Sequence, residues 1–310
     1  MFIHFLLSRL LSALLVIFGV ILIVFLLIHL VPGDPIEVML GDSPTMADRE
    51  QLRQSLGLDQ PILTQFFQYF NRLLHFDLGE SIHSGRKISE ILFPRIWPTV
   101  YLTLASLFVA IVIAFPLGIM SALNKNTMID KMAMGISLIG ISIPNFLMGP
   151  LLILIFSILL GILPVNGNDS ISSIVLPALT LGTALAAILS RMIRASLLET
   201  MTMDYVRTAK AKGLSKYQII YKHTLRNALL PVVTIIGLQF GALLGGAVIT
   251  EMIFSWPGLG QLTIESIQKR DYPVVQACML LITTTYVLVN TLTDLAYAAL
   301  DPRIRLDAKS

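Results

Sequence analysis

Six long apolar stretches limit what this chain of 310 residues can fold into. A helix that crosses the hydrocarbon core of a bilayer needs about 20 apolar residues, and each stretch is long enough. Only 13% of the residues are charged, against about a quarter in an ordinary soluble domain. We therefore predict an all-α polytopic membrane protein with six transmembrane helices. The predicted spans are residues 10–31, 99–123, 132–163, 174–197, 228–254 and 274–300.

Two of these spans allow a second interpretation. The first could be a signal peptide, but it exceeds the usual apolar region of about 7–15 residues and no A-x-A site follows it. The third contains Pro144 and Pro150, and two short spans joined there would have almost no polar turn. We expect one long kinked helix over 132–163, because neighbouring helices can re-satisfy the carbonyls that a proline frees.

The distribution of basic residues predicts the orientation. The N-terminus, two loops and the tail on one side contain 14 Lys and Arg, and the two short loops opposite contain two. Basic residues are enriched in cytoplasmic loops, so both termini are expected in the cytoplasm. The chain then divides into four parts. These are residues 1–31 with the first span, an extracytoplasmic insert at 32–98, a five-helix core at 99–300 with a basic loop at 191–231, and a cytoplasmic tail at 301–310.

The insert has its own helical signals. Asp48 and Glu50 follow a Pro-Thr pair as first-turn acids, and this helix should end at Gly57. A second helix at 62–74 presents an apolar face that can pack on the membrane part. That face consists of Phe66, Phe67, Phe70 and Leu73. The insert is predicted to be a small helical domain, either a lid over the helix ends or a gate or solute-guiding element.

Motifs for chemistry are absent from the sequence. It has no phosphate loop, H-E-x-x-H helix or G-x-S-x-G turn, so an enzyme is not predicted and energy must come from other subunits. An ion-coupled carrier would need ionisable residues near mid-membrane, yet Glu251 and Asp294 lie near helix ends. Glu251 is either a solute-facing carboxylate or a hydrogen-bonded structural acid or interface residue. We expect Asp294 to be a helix-packing partner, and Asn145, Phe146 and Glu251 are the candidates for a translocation path.

Small residues recur on one face of the fifth span, at Gly237, Gly241 and Gly245. This spacing lets a second helix approach closely. The glycine stripe is therefore either a packing seam within the chain or a contact with a second membrane subunit.

The basic loop after the fourth span has an ordered pattern. Two short helices are predicted, broken at Gly213 and with Ser215 as the N-cap of the second. The first helix places Tyr205, Ala209 and Lys212 on one side, where the small Ala209 and the glycine bend would allow a partner to come close. Anionic lipid headgroups could attract such a loop, but they require neither the glycine break nor the apolar pattern.

Residues 207–213 are R-T-A-K-A-K-G and residues 226–231 are R-N-A-L-L-P. These segments resemble the coupling loop of ABC importer permeases in the dipeptide, oligopeptide, glutathione and nickel branch. The pattern of importers at large has Glu and Pro where this chain has Arg207 and Arg226, which favours that branch. Further motifs typical of it are P-G-D-P at 32–35, L-G-L-D-Q-P at 56–61, D-L-G-E-S at 77–81, I-P-N-F at 143–146, W-P-G-L-G at 256–260, R-D-Y-P-V at 270–274 and D-P-R-I-R at 301–305.

The resemblance implies a permease subunit of an ATP-driven importer in the bacterial cytoplasmic (inner) membrane, for dipeptides, oligopeptides or similar small peptide-like solutes. The implied partners are a homologous second permease, two ABC ATPase subunits, an extracytoplasmic solute-binding protein and membrane lipid, without nucleic acid. No cofactor or metal is expected on this chain, and ATP and Mg belong to the ATPases. The implied ATPase contacts are Tyr205, Val206, Ala209, Gly213, Leu214 and Arg226.

Two alternatives remain open from the sequence. The nearer is a permease of the same family for nickel or a metal chelate, for which His75 and His83 of the insert are the only hint. The more remote alternative is an ion-coupled secondary carrier.

Overall fold

The computed structural model describes residues 2–30, 36–37, 45–55 and 57–300. Within these ranges the regular elements are helices, apart from one isolated bridge between Glu80 and Lys87. The prediction of an all-α membrane protein is confirmed. The helices are α1 (Phe2–Leu30), α2 (Met46–Ser55), α3 (Ile62–Leu74), α4 (Ile88–Leu123), α5 (Met128–Ser142), α6 (Asn145–Leu152), α7 (Val175–Thr200), α8 (Asp204–Ala211), α9 (Lys216–Gln218), α10 (Leu225–Ala228), α11 (Leu230–Gly246), α12 (Val248–Ile253), α13 (Leu259–Gln268) and α14 (Tyr272–Leu300).

Four helices of the described part are long and apolar enough to cross a membrane, namely α1, α4, α7 and α14. Two bent pairs raise the number of candidate spans to six. One pair is α5 with α6 and its π-helical extension Ile153–Leu159, and the other joins residues 219–228 to residues 230–244. The six spans predicted from hydropathy therefore have counterparts, although two of them are not single helices.

The third span differs most from its prediction. Its two halves meet at an angle of 102°, so one long kinked helix is wrong. Ile143 is extended, with φ −89° and ψ 114°, because a residue before proline is disfavoured in the α region. Pro144 also lacks the N–H that would continue the helix. Pro150 is tolerated inside α6, so the two prolines have different effects.

Two small-residue contacts bring α4 and α7 together at the centre of the molecule. A Cβ added to Gly118 would lie 2.7 Å from the Ser190 carbonyl oxygen, and one added to Gly182 would lie 2.8 Å from the Ser106 oxygen. Backbones this close gain van der Waals contact that larger side chains would prevent. The main core cluster, which includes Leu102 and Leu189 with no exposed surface, surrounds this contact.

Polar contacts attach α1 to α14 at two levels. Arg9 and Asp294 form an ion pair at 3.0 Å, and Gln276 Nε2 donates to the Val24 carbonyl at 2.8 Å. The prediction that Asp294 is a helix-packing partner is confirmed.

The helix of the second span extends further towards the insert than its apolar run. α4 begins at Ile88, not at residue 99, because Ile88 and Leu92 are buried against Leu259 and Leu262 and extend the helix beyond its apolar run. α2 lies in the predicted place, and Gly57 has the left-handed φ of +67°.

Candidate coupling site

The basic loop folds into two helical segments separated by a tight turn. Gly213 adopts a φ of +75°, which glycine reaches without the steric penalty of a Cβ. Ser215 then caps the second segment, since the Gln218 amide donates to Ser215 Oγ at 3.3 Å and the Ser215 amide donates to Gln218 Oε1 at 3.2 Å. This reciprocal pair is a capping box. The predicted break at Gly213 and the predicted N-cap are confirmed.

One face of this loop is occupied by its own small core. Val206 and Ala209 of α8 are buried with Ile219, and Leu214 packs against them. Ala209 is only 6% exposed in the chain by itself, and the approach of a partner at this residue remains a prediction. Its small side chain lets α8 pack on the π-helical segment Ile219–Thr224. Val206, Ala209 and Leu214 therefore support the loop from within.

The opposite face is aromatic and basic. Tyr205, Tyr217, Tyr221 and Arg226 are exposed, and the Tyr217 and Tyr221 rings lie 4.5 Å apart. A Cβ on Gly213 would meet no atom within 4 Å. We call this face, formed by Tyr205, Gly213, Tyr217, Tyr221 and Arg226, the coupling surface. The contact between Tyr217 and Tyr221 was not predicted, although their spacing of four residues signals neighbours on a helix.

A hydrogen bond connects the two segments across the coupling surface. Asn227 Nδ2 donates to the Tyr205 hydroxyl at 2.9 Å. Further exposed Lys and Arg residues surround it, at Arg207, Lys210, Lys212 and Lys222. The surface is thus a shaped, positively charged patch, suited to a partner with complementary charge.

A buried ion pair braces the helices that lead into this loop. Arg194 of α7 donates two hydrogen bonds of 2.8 Å to the Asp130 carboxylate of α5. The Asp130 carboxylate also accepts from Ser121 Oγ and, at 2.9 Å, from the Asn126 amide. Asp130 is 4% exposed, and a bidentate pair of this kind fixes orientation as well as distance. The sequence signal was Arg194 inside a predicted span, where a cation needs a partner.

A second buried carboxylate closes the opposite end of the molecule. Glu251 has no exposed surface. It accepts from Thr99 Oγ1 at 2.7 Å and from the Gln261 amide at 3.0 Å, while the Leu259 amide donates to Thr99 Oγ1 at 2.8 Å. Glu251 is therefore a structural acid that fastens the 256–261 turn to α4. Its assignment to the translocation path remains a prediction.

The other path candidates lie at the break of the third span. Asn145 opens α6 and is half-buried, and Phe146 beside it is 61% exposed. Non-helical backbone at membrane depth occurs where it lines a cavity or is buried in protein. Asn145 and Phe146 remain predictions.

The glycine stripe packs within the chain. A Cβ on Gly237 would lie 2.3 Å from the Thr293 methyl group, and one on Gly241 would lie 3.1 Å from Asn290 Oδ1. Both neighbours belong to α14, so the proposed contact with a second membrane subunit is wrong for these two glycines. The surroundings of Gly245 lie outside what the structure describes.

The histidines of the insert have backbone partners. His75 Nδ1 lies 2.9 Å from the Asn71 carbonyl oxygen, and His83 Nε2 bonds the Lys269 carbonyl. Among the described residues no three His, Cys, Asp or Glu side chains are grouped so that they could hold a metal ion.

Comparison with known proteins identifies the family. Residues 114–306 match the binding-protein-dependent transport system inner membrane component, and residues 2–103 match the corresponding N-terminal membrane component. The chain belongs to this family. It is a permease subunit of an ABC importer in the peptide, glutathione and nickel branch, it lies in the inner membrane, and ATPase activity resides in separate subunits.

Relatives cover nearly the whole permease. It is 44% identical over 302 residues to the glutathione transport system permease protein GsiC of Escherichia coli O6:H1, covering 97% of this chain and 99% of the relative. The GsiC protein of Escherichia coli K12 is 43% identical with the same coverage.

Solved transporters share the fold. The inward-facing MetNI methionine ABC transporter gives a TM-score of 0.58 at 22% identity, covering 68% of this chain and 96% of the other. An amino acid ABC transporter crystallised with histidines gives 0.55 at 15% identity, covering 68% and 94%.

Proposed function

We propose that this permease translocates dipeptides, oligopeptides or similar small peptide-like solutes that an extracytoplasmic solute-binding protein delivers. The support is the 44% identity to permeases of glutathione transport, because glutathione is itself a peptide. A homologous second permease completes the path. Both termini lie in the cytoplasm, because the segments on their side contain 14 Lys and Arg and the short loops opposite contain two.

The observation that carries the mechanism is the two-sided coupling loop. Val206 and Ala209 hold the loop to its own small core, and the coupling surface faces outward. An ABC ATPase subunit, which also binds ATP and Mg, docks on this surface. Its contacts include Tyr205, Gly213 and Arg226, while Leu214 keeps the turn in place. ATP-driven closure of the ATPases then displaces the loop.

Rigid connections pass this displacement to the membrane helices. α7 ends at Thr200 and α8 begins at Asp204, so only three residues separate them. The Asp130–Arg194 pair fixes α7 to α5 at the same end. α5 leads to the break at Pro144, where Asn145 and Phe146 line the path and a discontinuous helix can rearrange. Alternating access is thus a rigid-body motion with its joint at this break.

The test compares two glycines with the same backbone requirement. Gly213 and Gly161 have φ values of +75° and +64°, and neither has an atom within 4 Å of an added Cβ. Valine at either position costs backbone strain. We expect Gly213→Val to abolish solute uptake and solute-stimulated ATP hydrolysis in the reconstituted importer, with normal amounts of permease in the membrane. Gly161→Val should retain both. Wild-type uptake and wild-type stimulation of ATP hydrolysis in Gly213→Val would refute the assignment of the coupling surface as the ATPase contact.

Solute choice is tested separately in cells that lack this gene. Uptake of a labelled dipeptide, an oligopeptide, glutathione and a nickel chelate is measured with and without the plasmid-borne permease. We expect restored uptake of at least one peptide and no effect on nickel. Restoration of nickel uptake alone would favour the metal alternative, and the coupling assignment would be unaffected.

A further inference from the structure

Helix α3 of the insert has an apolar side that the rest of the described chain does not cover. Leu63, Phe67 and Leu74 are 69%, 65% and 62% exposed. At 100° per residue these three side chains fall within a narrow sector of the helix. Thr64 and Gln68 point to another sector, and both are exposed. The helix is strongly amphipathic, and the predicted packing of Phe67 on the membrane part is wrong.

Aromatic contacts show how α3 meets the first span. The Phe66 ring lies 6.1 Å from the Phe18 ring and 5.3 Å from the Phe25 ring, between ring centroids. Phe70 also contacts Phe18, at 6.2 Å. Nearer the end of α1, Gln65 Oε1 lies 3.0 Å from His29 Nε2. α3 thus contacts α1 over the stretch from Phe18 to His29.

These contacts also give the depth of α3. With a rise of about 1.5 Å per residue, Phe25 and Phe18 lie roughly 8 and 18 Å before the end of α1 at Leu30. The segment Leu7–Leu30 is itself a candidate span, and a bilayer core is about 30 Å thick. Phe66 and Phe70 therefore lie at a level where α1 is surrounded by acyl chains. Gln65, which contacts His29, lies near the level where α1 ends at Leu30.

We infer that α3 is an interfacial helix that lies in the extracytoplasmic leaflet, with Leu63, Phe67 and Leu74 among the acyl chains. Lipid is the occupant that the geometry favours, because α3 packs through Phe66 and Phe70 on α1, which is a candidate membrane span and itself exposes apolar side chains. Leu15 and Ile23 of that helix are 70% and 62% exposed. A helix with one charged or polar side and one apolar side binds at the headgroup and acyl boundary. The insert is thereby anchored to the membrane and is not a freely moving lid.

The inference is tested with spin labels in the assembled importer in phospholipid nanodiscs. Cys278 is the only cysteine and is fully buried, so Cys278→Ala gives a background for single-cysteine variants. Labels are placed at Phe67→Cys, at Gln68→Cys as a water-facing control, and at Leu15→Cys as a lipid-facing control. Collision with oxygen, which partitions into lipid, is compared with collision with a water-soluble nickel chelate.

We expect the label at position 67 to behave as the one at position 15, with high oxygen accessibility and a loss of nickel accessibility relative to position 68. Nickel accessibility equal to that of position 68 would show a water-exposed face and overturn the inference. Low accessibility to both reagents would show that another subunit covers the patch, which also overturns it. The measurement needs no transport and is independent of the proposed solute.

Discussion

The two buried carboxylates of this permease are held in different ways. Asp130, which braces the helices beside the basic loop at 191–231, is neutralised by the Arg194 guanidinium through two bonds of 2.8 Å. Glu251, at the opposite end of the molecule, is bonded by the uncharged groups of Thr99 and Gln261. Breaking a buried ion pair leaves an uncompensated charge, whereas neutral partners can rearrange around a neutral side chain. Substitution of Asp130 should therefore destabilise the permease more than substitution of Glu251.

The largest expected effect is that of Asp130→Asn. It leaves Arg194 without a counter-ion, and we expect a loss of about 3 kcal/mol in the free energy of unfolding. This is the lower end for buried pairs, because the Arg194 side chain remains 26% exposed. Equilibrium unfolding of the purified permease in mixed micelles measures the loss.

The matched control for Asp130→Asn is Glu90→Gln. It removes an ion pair with Arg86 in which the Arg86 and Glu90 side chains are 62% and 56% exposed. We expect the free energy of unfolding to fall by less than about 1 kcal/mol. The double variant Asp130→Asn/Arg194→Gln should be less destabilised than the sum of the single variants, because neither charge remains alone. Strict additivity would show that the two residues do not interact.

An intermediate effect is expected at the turn fastened by Glu251. A Cβ on Gly258 would lie 2.2 Å from Glu251 Oε1, so Gly258→Ala must displace the buried carboxylate. We expect the free energy of unfolding to fall by about 1–3 kcal/mol, measured by the same unfolding assay. Gly135→Ala is the control, since a Cβ there meets nothing within 4 Å and alanine favours the helix. Equal stability of the two variants would contradict the described packing.

The smallest effect is expected for Glu251→Gln. Glutamine keeps the shape, its oxygen can accept from the Gln261 amide, and its amide nitrogen can donate to Thr99 Oγ1. We expect a loss of about 1 kcal/mol in the free energy of unfolding. A loss larger than that of Asp130→Asn would reverse the comparison and show that the charge of Glu251 is itself required.

Local structure was predictable from the sequence where it depended on residues close together in the chain. Hydropathy located the spans, and the Gly213 break and the Ser215 cap followed from backbone conformation and hydrogen-bonding capacity. Each of these signals involves residues within one or two helical turns. The prediction for the third span failed because it treated Pro144 as a kink, whereas the extended Ile143 before it ended the helix.

The pairings between distant residues were not predictable. Glu251 and Thr99 are 152 positions apart, and Asp130 and Arg194 are 64 apart. Hydropathy shows that a buried charge needs a partner, but it does not show which helix supplies that partner. The same limit applied to the glycine stripe, whose spacing predicted a close contact but not that α14 makes it.

That contact has a mechanical consequence for the subunit. Because Gly237 leaves no room between α11 and Thr293 of α14, these helices cannot rotate past each other without a clash. α14 is in turn attached to α1 through Asp294 and Gln276. Three of the spans are thus joined by close packing and polar contacts. We expect a motion that opens or closes the subunit to bend the chain elsewhere, while these three helices stay packed.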